Sequence, residues 1–187
     1  EDVDLMAEAI TDCQTLLLQL EIPVETALHA ARLAKAHDVR VILNPAPVQP
    51  LPKSAFQHVD VLTPNETEAK APIGEPPDAR IAPERLAEKL LALGAGSVVL
   101  TQGKAGALVV TRKGATHVPA PEVGTIDPTG CGDAFNGALA VALGGGRPLV
   151  EAARWACHAG AHCATKLEVI PGLATREQLE KMIARHG

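Results

Sequence analysis

The sequence is poor in aromatic residues, with two phenylalanines, one tryptophan and no tyrosine among its 187 residues. Proteins that bind single-stranded nucleic acid stack bases on aromatic side chains and track the phosphates with a positively charged groove. This chain instead has a net charge of −5 and a pI near 5.8. We therefore predict no nucleic-acid partner.

The sequence also lacks long apolar segments, and no run approaches the roughly 20 residues that a membrane-spanning helix needs. Its first residues contain neither a basic region nor an apolar core, so no signal peptide is predicted. The few cysteines are scattered, which is typical of free or buried thiols in a reducing compartment: Cys13, Cys131, Cys157 and Cys163. These features predict a cytoplasmic protein without a membrane partner. Because the chain does not begin with methionine, we expect it to be a piece of something longer.

What the sequence does contain is an alternation of apolar strands and amphipathic helices. With 47% hydrophobic and 21% charged residues, the chain is typical of a single globular domain over residues 1–187. The βαβ order predicts an α/β fold, with a mostly parallel sheet covered by helices on both faces. Strands are predicted at 15–20, 39–43, 59–62, 97–101 and 107–111, and helices at 2–12, 23–37, 63–70, 83–93, 134–143, 149–164 and 176–185.

The most informative segment is the turn over residues 125–133, which is dense in glycine and proline and leads into a helix. Successive backbone N–H groups in such a turn, together with the unpaired N–H groups of the first helical turn, can bind an anion. Asp133 has two interpretations. It is either a first-turn acid favoured by the helix dipole, or a base that accepts a proton from an attacking hydroxyl.

Two further segments follow predicted strands. In Thr63-Pro64-Asn65-Glu66-Thr67-Glu68, the polar side chains either cap a helix or place Asn65 and Glu68 near a hydrated Mg²⁺, which uses few protein ligands. The turn over residues 102–106 is either a simple connection between strands or a cradle for phosphate.

A cluster of metal-ligand residue types lies in the helix predicted over 149–164: Cys157, His158, His162 and Cys163. The two histidines share a helix face at a spacing that zinc sites use. The two cysteines are six positions apart and lie far round the helix from each other, so one metal ion could not bind all four. We therefore predict that these residues pack the helix and do not form a structural metal site.

Five separated segments resemble, in order, the ribokinase or PfkB family of sugar and nucleoside kinases. The signature Asp127-x-Thr129-Gly130-x-Gly132-Asp133 is similar to the family's anion hole and catalytic base, although Pro128 replaces a more usual threonine. The other segments are Leu18-Gln19-Leu20-Glu21, Leu43-Asn44-Pro45-Ala46-Pro47, 63–69 and 101–106. The resemblance implies a three-layer αβα ribokinase-like fold with a mostly parallel central sheet.

The resemblance also implies roles for individual residues. Asp133 would be the catalytic base and would contact the sugar hydroxyl, with Gly130, Cys131 and Gly132 forming the anion hole. Glu21 would contact the sugar, and Glu68 would position Mg²⁺ through water. The residues implied in ATP binding are Asn65, Thr101, Gln102, Gly103, Lys104, Ala105, Gly106, Gly132, Asp133 and Cys157.

A monovalent cation, normally K⁺, is a further implication of the resemblance. Its implied residues are Asp127, Thr129, Cys163, Lys166, Glu168 and Gly172. Here the chain departs from the family, because Lys166-Leu167-Glu168-Val169 stands where a Gly-Ala turn is usual. Glu168 cannot adopt glycine-only backbone conformations without cost, which argues against K⁺ binding.

The implied function is transfer of the γ-phosphate of ATP to the 5-hydroxyl of D-ribose. The resemblance begins near the middle of the family's sequences, so we expect the N-terminal strands and the β-lid to be missing, and a full-length version to be a homodimer. Two alternatives stay open. One is another carbohydrate or nucleoside kinase of the family, and the other is a nucleotide-binding fragment without catalysis.

Overall fold

A computed structural model describes residues 2–186. The contacts between residues divide the chain into two compact units. The first unit contains Glu1–Thr101 and Leu108–Thr116, and the second contains Gln102–Ala107 and His117–Gly187. Each unit carries part of the residues that the sequence singled out.

Over the described residues, the sheet has six strands in the order β1 to β6. Strands β1 to β4 are parallel, with Thr15 opposite Arg40, Ile42 opposite Val61 and Val61 opposite Ser97. A five-residue turn is too short for a parallel crossover, so β5 runs antiparallel to β4. The strands are β1 (Thr15–Leu18), β2 (Arg40–Leu43), β3 (Val61–Leu62), β4 (Ser97–Thr101), β5 (Ala107–Thr111) and β6 (Gly114–Val118).

The helices of the first unit are α1 (Asp2–Leu5), α2 (Ala7–Thr11), α3 (Val24–Ala36) and α4 (Pro83–Ala92), with 3₁₀ segments at Lys53–His58 and Ala71–Ile73. Helix α3 packs on β1 and β2, and α4 packs on β4. Its small buried residues, Ala27, Ala31 and Ala34, let α3 approach the sheet closely. In β4, the consecutive residues Val98, Val99 and Leu100 are all buried. Because successive side chains point to opposite faces, both faces of this strand are covered, as predicted.

The second unit is mainly helical. It contains α5 (Cys131–Gly144), α6 (Leu149–Ala164), α7 (Val169–Gly172) and α8 (Arg176–His186), and α6 packs against the other three helices. Helix α8 begins with the predicted capping box. The Thr175 N–H donates to Gln178 Oε1 at 2.8 Å, and the Gln178 N–H donates to Thr175 Oγ1 at 3.3 Å. No helix in residues 2–186 is long and apolar enough to cross a membrane.

Several details of the secondary structure differ from the predictions. The helix predicted over 2–12 is divided into α1 and α2, and the strand predicted over 59–62 is shortened to Val61–Leu62. The helix predicted over 63–70 is a series of turns followed by a 3₁₀ segment, because Asn65 and Glu68 satisfy the local backbone N–H groups themselves. Strand β6 was missed, since most of its residues are exposed and show no alternation. Helix α5 begins at Cys131 rather than at Ala134, and α7 was not predicted.

Candidate functional site

In the first unit, polar side chains follow the carboxyl ends of three adjacent parallel strands. Gln19 Nε2 donates to Asn44 Oδ1 at 3.1 Å, and Asn44 Nδ2 donates to the Thr63 carbonyl oxygen at 2.8 Å. Asn44 and Thr63 are buried. These two hydrogen bonds link the residues that follow β1, β2 and β3. They lie at the carboxyl ends of the strands, which is the edge where parallel sheets bind their ligands. Reasoning from the sequence took the Asn44-Pro45-Ala46-Pro47 run to favour ribose but gave Gln19 no role of its own, although polar residues after successive strands were a signal for it.

Glu21 lies at this same edge and is exposed. The residue before it, Leu20, is fully buried, and its N–H donates to the Ala46 carbonyl at 2.8 Å. The Leu20 carbonyl accepts a hydrogen bond of 2.6 Å from Gln49 Nε2. The backbone beside Glu21 is therefore held from two sides, while its carboxylate faces solvent.

Asn65 and Glu68 are brought together in a reciprocal network. Asn65 Oδ1 accepts the N–H groups of Thr67 and Glu68 at 2.9 and 2.8 Å. The Glu68 carboxylate accepts from the Asn65 N–H at 2.9 Å and from Asn65 Nδ2 at 2.7 Å. These are the local bonds of a capping motif, but the segment that they close is a turn and not the predicted helix.

This network leaves room for a hydrated metal ion. A carboxylate has about four lone-pair positions, and Asn65 uses two of those on Glu68. The remaining positions can accept from metal-bound water, which is how Mg²⁺ is often held.

Within residues 2–186, no group of three or more His, Cys, Asp or Glu side chains could hold a metal directly, and this includes the histidines and cysteines of α6. The His158 Nδ1 atom lies 2.8 Å from the Arg154 carbonyl one turn earlier.

The end of β4 places Thr101 next to Asn65. The two residues form a parallel bridge, and the Thr101 N–H donates to the Pro64 carbonyl at 2.9 Å. Two of the residues predicted to bind nucleotide are thus neighbours in the first unit. Their backbones are fixed by the sheet, which allows their side chains to act as a preorganised pair.

In the second unit, the turn after β4 contains a 3₁₀ segment, Gly103–Ala105, closed by a hydrogen bond of 2.8 Å from the Gln102 N–H to the Gly106 carbonyl. Gly106 has φ of 99°, and a Cβ placed on it would lie 2.1 Å from the Val118 carbonyl oxygen. Only glycine fits there. The Cys157 thiol donates to the same Val118 carbonyl at 3.7 Å, so Gly106 and Cys157 both lie against Val118.

The turn over residues 125–133, the anion turn, leads into α5 as predicted, with residues 131–133 already in the first turn of the helix. Gly130 is the N-cap of α5 with φ of 75°, and its missing side chain is needed because a Cβ would lie 2.6 Å from Val169 Cγ1. A Cβ on Gly132 would meet nothing within 4 Å. The space in front of Gly132 is open to a ligand, and helix N–H groups in this first turn have no intrahelical acceptor. Asp133, in the same turn, is exposed.

Cys131, the third predicted contributor to the anion hole, is already partly engaged. Its N–H donates to the Pro128 carbonyl at 3.3 Å, which is long for such a bond. Burial and the neighbouring Cys163 thiol raise the pKa of its own thiol to about 11. Cys131 is therefore a neutral residue at pH 7 and adds no negative charge to an anion site.

The residues implied in cation binding gather around Asp127. The Thr129 N–H donates to Asp127 Oδ1 at 2.9 Å, and the hydrogen bonds from Thr129 and the Glu168 backbone keep the pKa of Asp127 below its usual value. The Cys163 thiol donates to the Thr129 carbonyl at 3.5 Å, and Gly172 packs on Cys163. The Lys166 N–H donates to the Cys163 carbonyl at 3.0 Å. Carboxylate and carbonyl oxygens gathered in neighbouring loops are metal ligands that suit a hard cation.

Glu168 does adopt the backbone conformation that its side chain disfavours. Its φ is 68° and its ψ is 156°, in a region that is essentially restricted to glycine. Asp127 accepts its N–H, and the adjacent Val169 fills the space beside Gly130. Glu168 therefore takes the costly conformation that the sequence argument identified, and tertiary contacts hold it in place.

Comparisons with known proteins identify the family and the fold of this chain. The family model described as pfkB family carbohydrate kinase matches residues 4–176. A deoxyribokinase of Salmonella typhi is 40% identical over 141 residues, covering 75% of this chain and 46% of the relative. A ribokinase of Bacillus subtilis is 33% identical over 177 residues, covering 95% of this chain and 57% of the relative.

Among solved structures, Arabidopsis thaliana ribokinase complexed with ribose and ATP superimposes with a TM-score of 0.89 at 28% identity. The match covers 96% of this chain and 59% of that one. The predicted α/β ribokinase-like fold is thereby confirmed. The chain spans about half the length of the curated relatives it matches.

Proposed function

Because this chain belongs to the pfkB family of carbohydrate kinases, we propose that it transfers the γ-phosphate of ATP to the 5-hydroxyl of D-ribose. The observation that carries the proposal is the start of α5, where Gly132 leaves open space at a helix N-terminus and Asp133 stands exposed in the same turn. An anion-binding turn that also holds a carboxylate suits phosphoryl transfer to a hydroxyl.

In the proposed reaction, Asp133 accepts the proton of the primary hydroxyl as that oxygen attacks the γ-phosphate. The N–H groups of Gly130, Cys131 and Gly132 donate to the transferring oxygens, on which negative charge spreads in the transition state. Glu21 contacts the sugar. The turn from Gln102 to Gly106, with Lys104, cradles the phosphates, and Asn65, Thr101 and Cys157 contribute to nucleotide binding.

Two cations belong to the proposal. Mg²⁺, held through water by Glu68, would neutralise part of the negative charge of the phosphates. K⁺, held by oxygens of the loops that contain Asp127, Thr129, Cys163, Lys166, Glu168 and Gly172, supplies positive charge beside the anion turn. The Asp127 cluster and the adopted conformation of Glu168 support this second assignment.

The first test replaces Asp133 with asparagine in the 187-residue chain. Asp133→Asn removes the base but keeps the size of the side chain, so we expect turnover to fall by about 10²–10⁴-fold. Binding of ATP, followed by calorimetry, is expected to stay within about twofold of wild type. Equal loss of turnover and ATP binding would contradict the role of base. ATP binding by a wild-type chain that never turns over would favour the non-catalytic alternative.

The second test compares two glycines of the same helix. Neither Gly132 nor Gly137 has any atom within 4 Å of the position that a Cβ would occupy, so alanine fits the protein at both. Each substitution is expected to leave stability unchanged or to raise it by up to about 1 kcal/mol. Gly132→Ala is expected to lower kcat/KM for ATP by about 10–100-fold, since the methyl group occupies phosphate space. Gly137→Ala is expected to behave as wild type, and similar kinetics for both would remove Gly132 from the anion hole.

A second substrate, 2-deoxyribose, is favoured by the 40% identity to a deoxyribokinase. The two sugars differ by one hydroxyl, and a site built to bond that hydroxyl discriminates strongly against the analogue that lacks it. Values of kcat/KM measured for both sugars, with Mg²⁺ and with or without K⁺, decide between them. A ratio near one would assign the chain to neither sugar specifically.

A further inference from the structure

A cavity of about 310 Å³ lies between the C-terminal end of α6 and helix α8, within the second unit. Its volume is at the lower end of the range of pockets that bind small molecules. None of its lining residues was assigned to ATP, sugar or cation, so this α6–α8 cavity is not part of the site described above. The lining residues are His162, Thr165, Gln178, Lys181, Met182 and Arg185.

Helical spacing explains why these side chains share one cavity. The four lining residues of α8 are three or four positions apart, which places them on one face of that helix. The two lining residues at the end of α6 are three positions apart. Helix α8 packs against α6, and its Leu179 is buried. The two faces are therefore held together by the packing of the helices.

The α6–α8 cavity has an excess of positive charge. Among the described residues that line it, none is an acid, and Lys181 and Arg185 are cations. Lys181 pairs with Glu177 outside the cavity at 2.5 Å, but both side chains are exposed, and such a pair contributes little. The ion pairs between described residues do not include Arg185. The charge of the cavity is thus complementary to an anion.

His162 contributes an uncharged ring to the same cavity. Burial and the positive charge of Lys166 keep the pKa of His162 below its ordinary value, so the ring is neutral at pH 7. Its Nε2 atom is buried, and no described residue forms a hydrogen bond with it. A buried polar atom without a partner is costly. A ligand that draws the ring towards the cavity would relieve this cost.

The walls of the cavity also offer apolar surface. Met182 places a flexible thioether side chain on the lining face of α8. The methylene groups of Lys181 and Arg185 add to it, since long basic side chains cover apolar surface with their stems and keep their charge at the tip. An anion that carries an apolar body therefore fits this cavity better than a bare ion does.

We propose that the α6–α8 cavity binds a small phosphate ester with an apolar body, the phosphate at Lys181 and Arg185 and the body against Met182. A phosphate monoester carries roughly two negative charges near pH 7, which matches two cations. Arginine also binds phosphate oxygens in pairs. The site lies outside the residues of the proposed kinase reaction and does not depend on that reaction.

Phenyl phosphate is the probe, added to the 187-residue chain without ATP. Binding is followed by calorimetry and by the NMR signal of the His162 ring, which is assigned by its loss in His162→Gln. We expect a Kd of about 1 mM or tighter, with a shift of the His162 signal that saturates at the same concentration. No binding at about ten times that concentration, or binding that leaves the His162 signal in place, would overturn the proposal.

Three charge-removing variants of α8 test the contacts. Lys181→Gln and Arg185→Gln are each expected to weaken binding of phenyl phosphate by roughly threefold to tenfold. Arg176→Gln is the matched control, because Arg176 is an exposed cation of the same helix that does not line the cavity. Its Kd is expected to stay within about twofold of wild type. Equal weakening in all three would mean general attraction to a basic helix and would contradict a built site.

Gly132→Ala separates the cavity from the anion turn, the other place where a phosphate could bind. We expect this variant to bind phenyl phosphate as wild type does. Loss of binding in Gly132→Ala, together with unchanged binding in Arg185→Gln, would place the phosphate in the anion turn and overturn the proposal.

Two partial ligands test the two parts of the proposed one. Inorganic phosphate lacks the apolar body and benzyl alcohol lacks the charge, so each is expected to bind at least about tenfold more weakly than phenyl phosphate. Equal affinity for inorganic phosphate would overturn the role of the apolar wall, and equal affinity for benzyl alcohol would overturn the role of Lys181 and Arg185.

Discussion

At the scale of single residues, strain collects in the loop beside the anion turn. Among the described residues, two that are not glycine have positive φ, Asp38 at 60° and Glu168 at 68°. Aspartate tolerates the left-handed region after a helix, as Asp38 does after α3. Glu168, with ψ of 156°, lies where glycine alone is comfortable, at a cost of about 1–3 kcal/mol. The loop that hydrogen bonds to Asp127 therefore stores backbone strain at Glu168.

Replacement of Glu168 with glycine is expected to relieve this strain. The gain is offset by the greater chain entropy of glycine, which costs about 0.5–1 kcal/mol, so Glu168→Gly should raise the free energy of unfolding by roughly 0.5–2 kcal/mol. Denaturant unfolding measures the change. Asp38→Gly is the control and is expected to be neutral or slightly destabilising. Destabilisation by Glu168→Gly would mean that the glutamate side chain contributes more than its backbone costs.

At the scale of elements, the parallel strands are tied together at the edge that carries Glu21 and Asn65. Backbone hydrogen bonds join the strands of the sheet. Side-chain hydrogen bonds from Gln19 to Asn44, and from Asn44 to the Thr63 carbonyl, join them again where the strands end. Asn44 is the central member, because it both accepts and donates. Rigid placement of ligand-contacting residues depends on such supporting contacts.

Loss of the Asn44 donor is expected to destabilise the first unit. In Asn44→Ala, the buried Thr63 carbonyl loses its side-chain donor, which should cost about 1–3 kcal/mol. Asn44→Asp keeps the acceptor for Gln19 but lacks the donor, and we expect a loss at least as large near neutral pH. Chemical denaturation of the three proteins measures both effects. A neutral Asn44→Asp would show that the contact to Thr63 contributes nothing.

At the scale of the whole molecule, the buried thiols couple stability to alkaline pH. Burial raises the pKa of Cys157 to about 12 from the ordinary value of 9.0, and the pKa of Cys131 is also raised. A thiol with a raised pKa in the folded state contributes stability that is complete below its unfolded pKa. That contribution is lost as the pH rises from about 9 towards the folded pKa.

We therefore expect the melting temperature to fall between about pH 9 and pH 12, and to fall less steeply in Cys157→Ala. The slope against pH is the quantity to compare, because the substitution also removes packing. An identical slope in Cys157→Ala would show that this thiol does not ionise on unfolding in that range.

Much of the fold follows from short-range patterns in the sequence. Helices α3, α4, α6 and α8 and strands β4 and β5 were predicted within one or two residues, because their apolar spacing and their start and stop residues are local. The capping box of Thr175 and Gln178 has the same origin. The turn that leads into α5 was predicted because its glycines and prolines are contiguous.

Tertiary structure alone decided the features that depend on distant segments. Glu168 takes a glycine-like conformation because Asp127, far away in the sequence, accepts its N–H. The Cys163 thiol reaches the Thr129 carbonyl, and Asn65 lies beside Thr101, only because helices and strands pack side by side. The sequence by itself determines which residues favour a helix, a strand or a turn. Contacts between remote segments are set by packing, and those contacts bring the candidate site residues of each unit together.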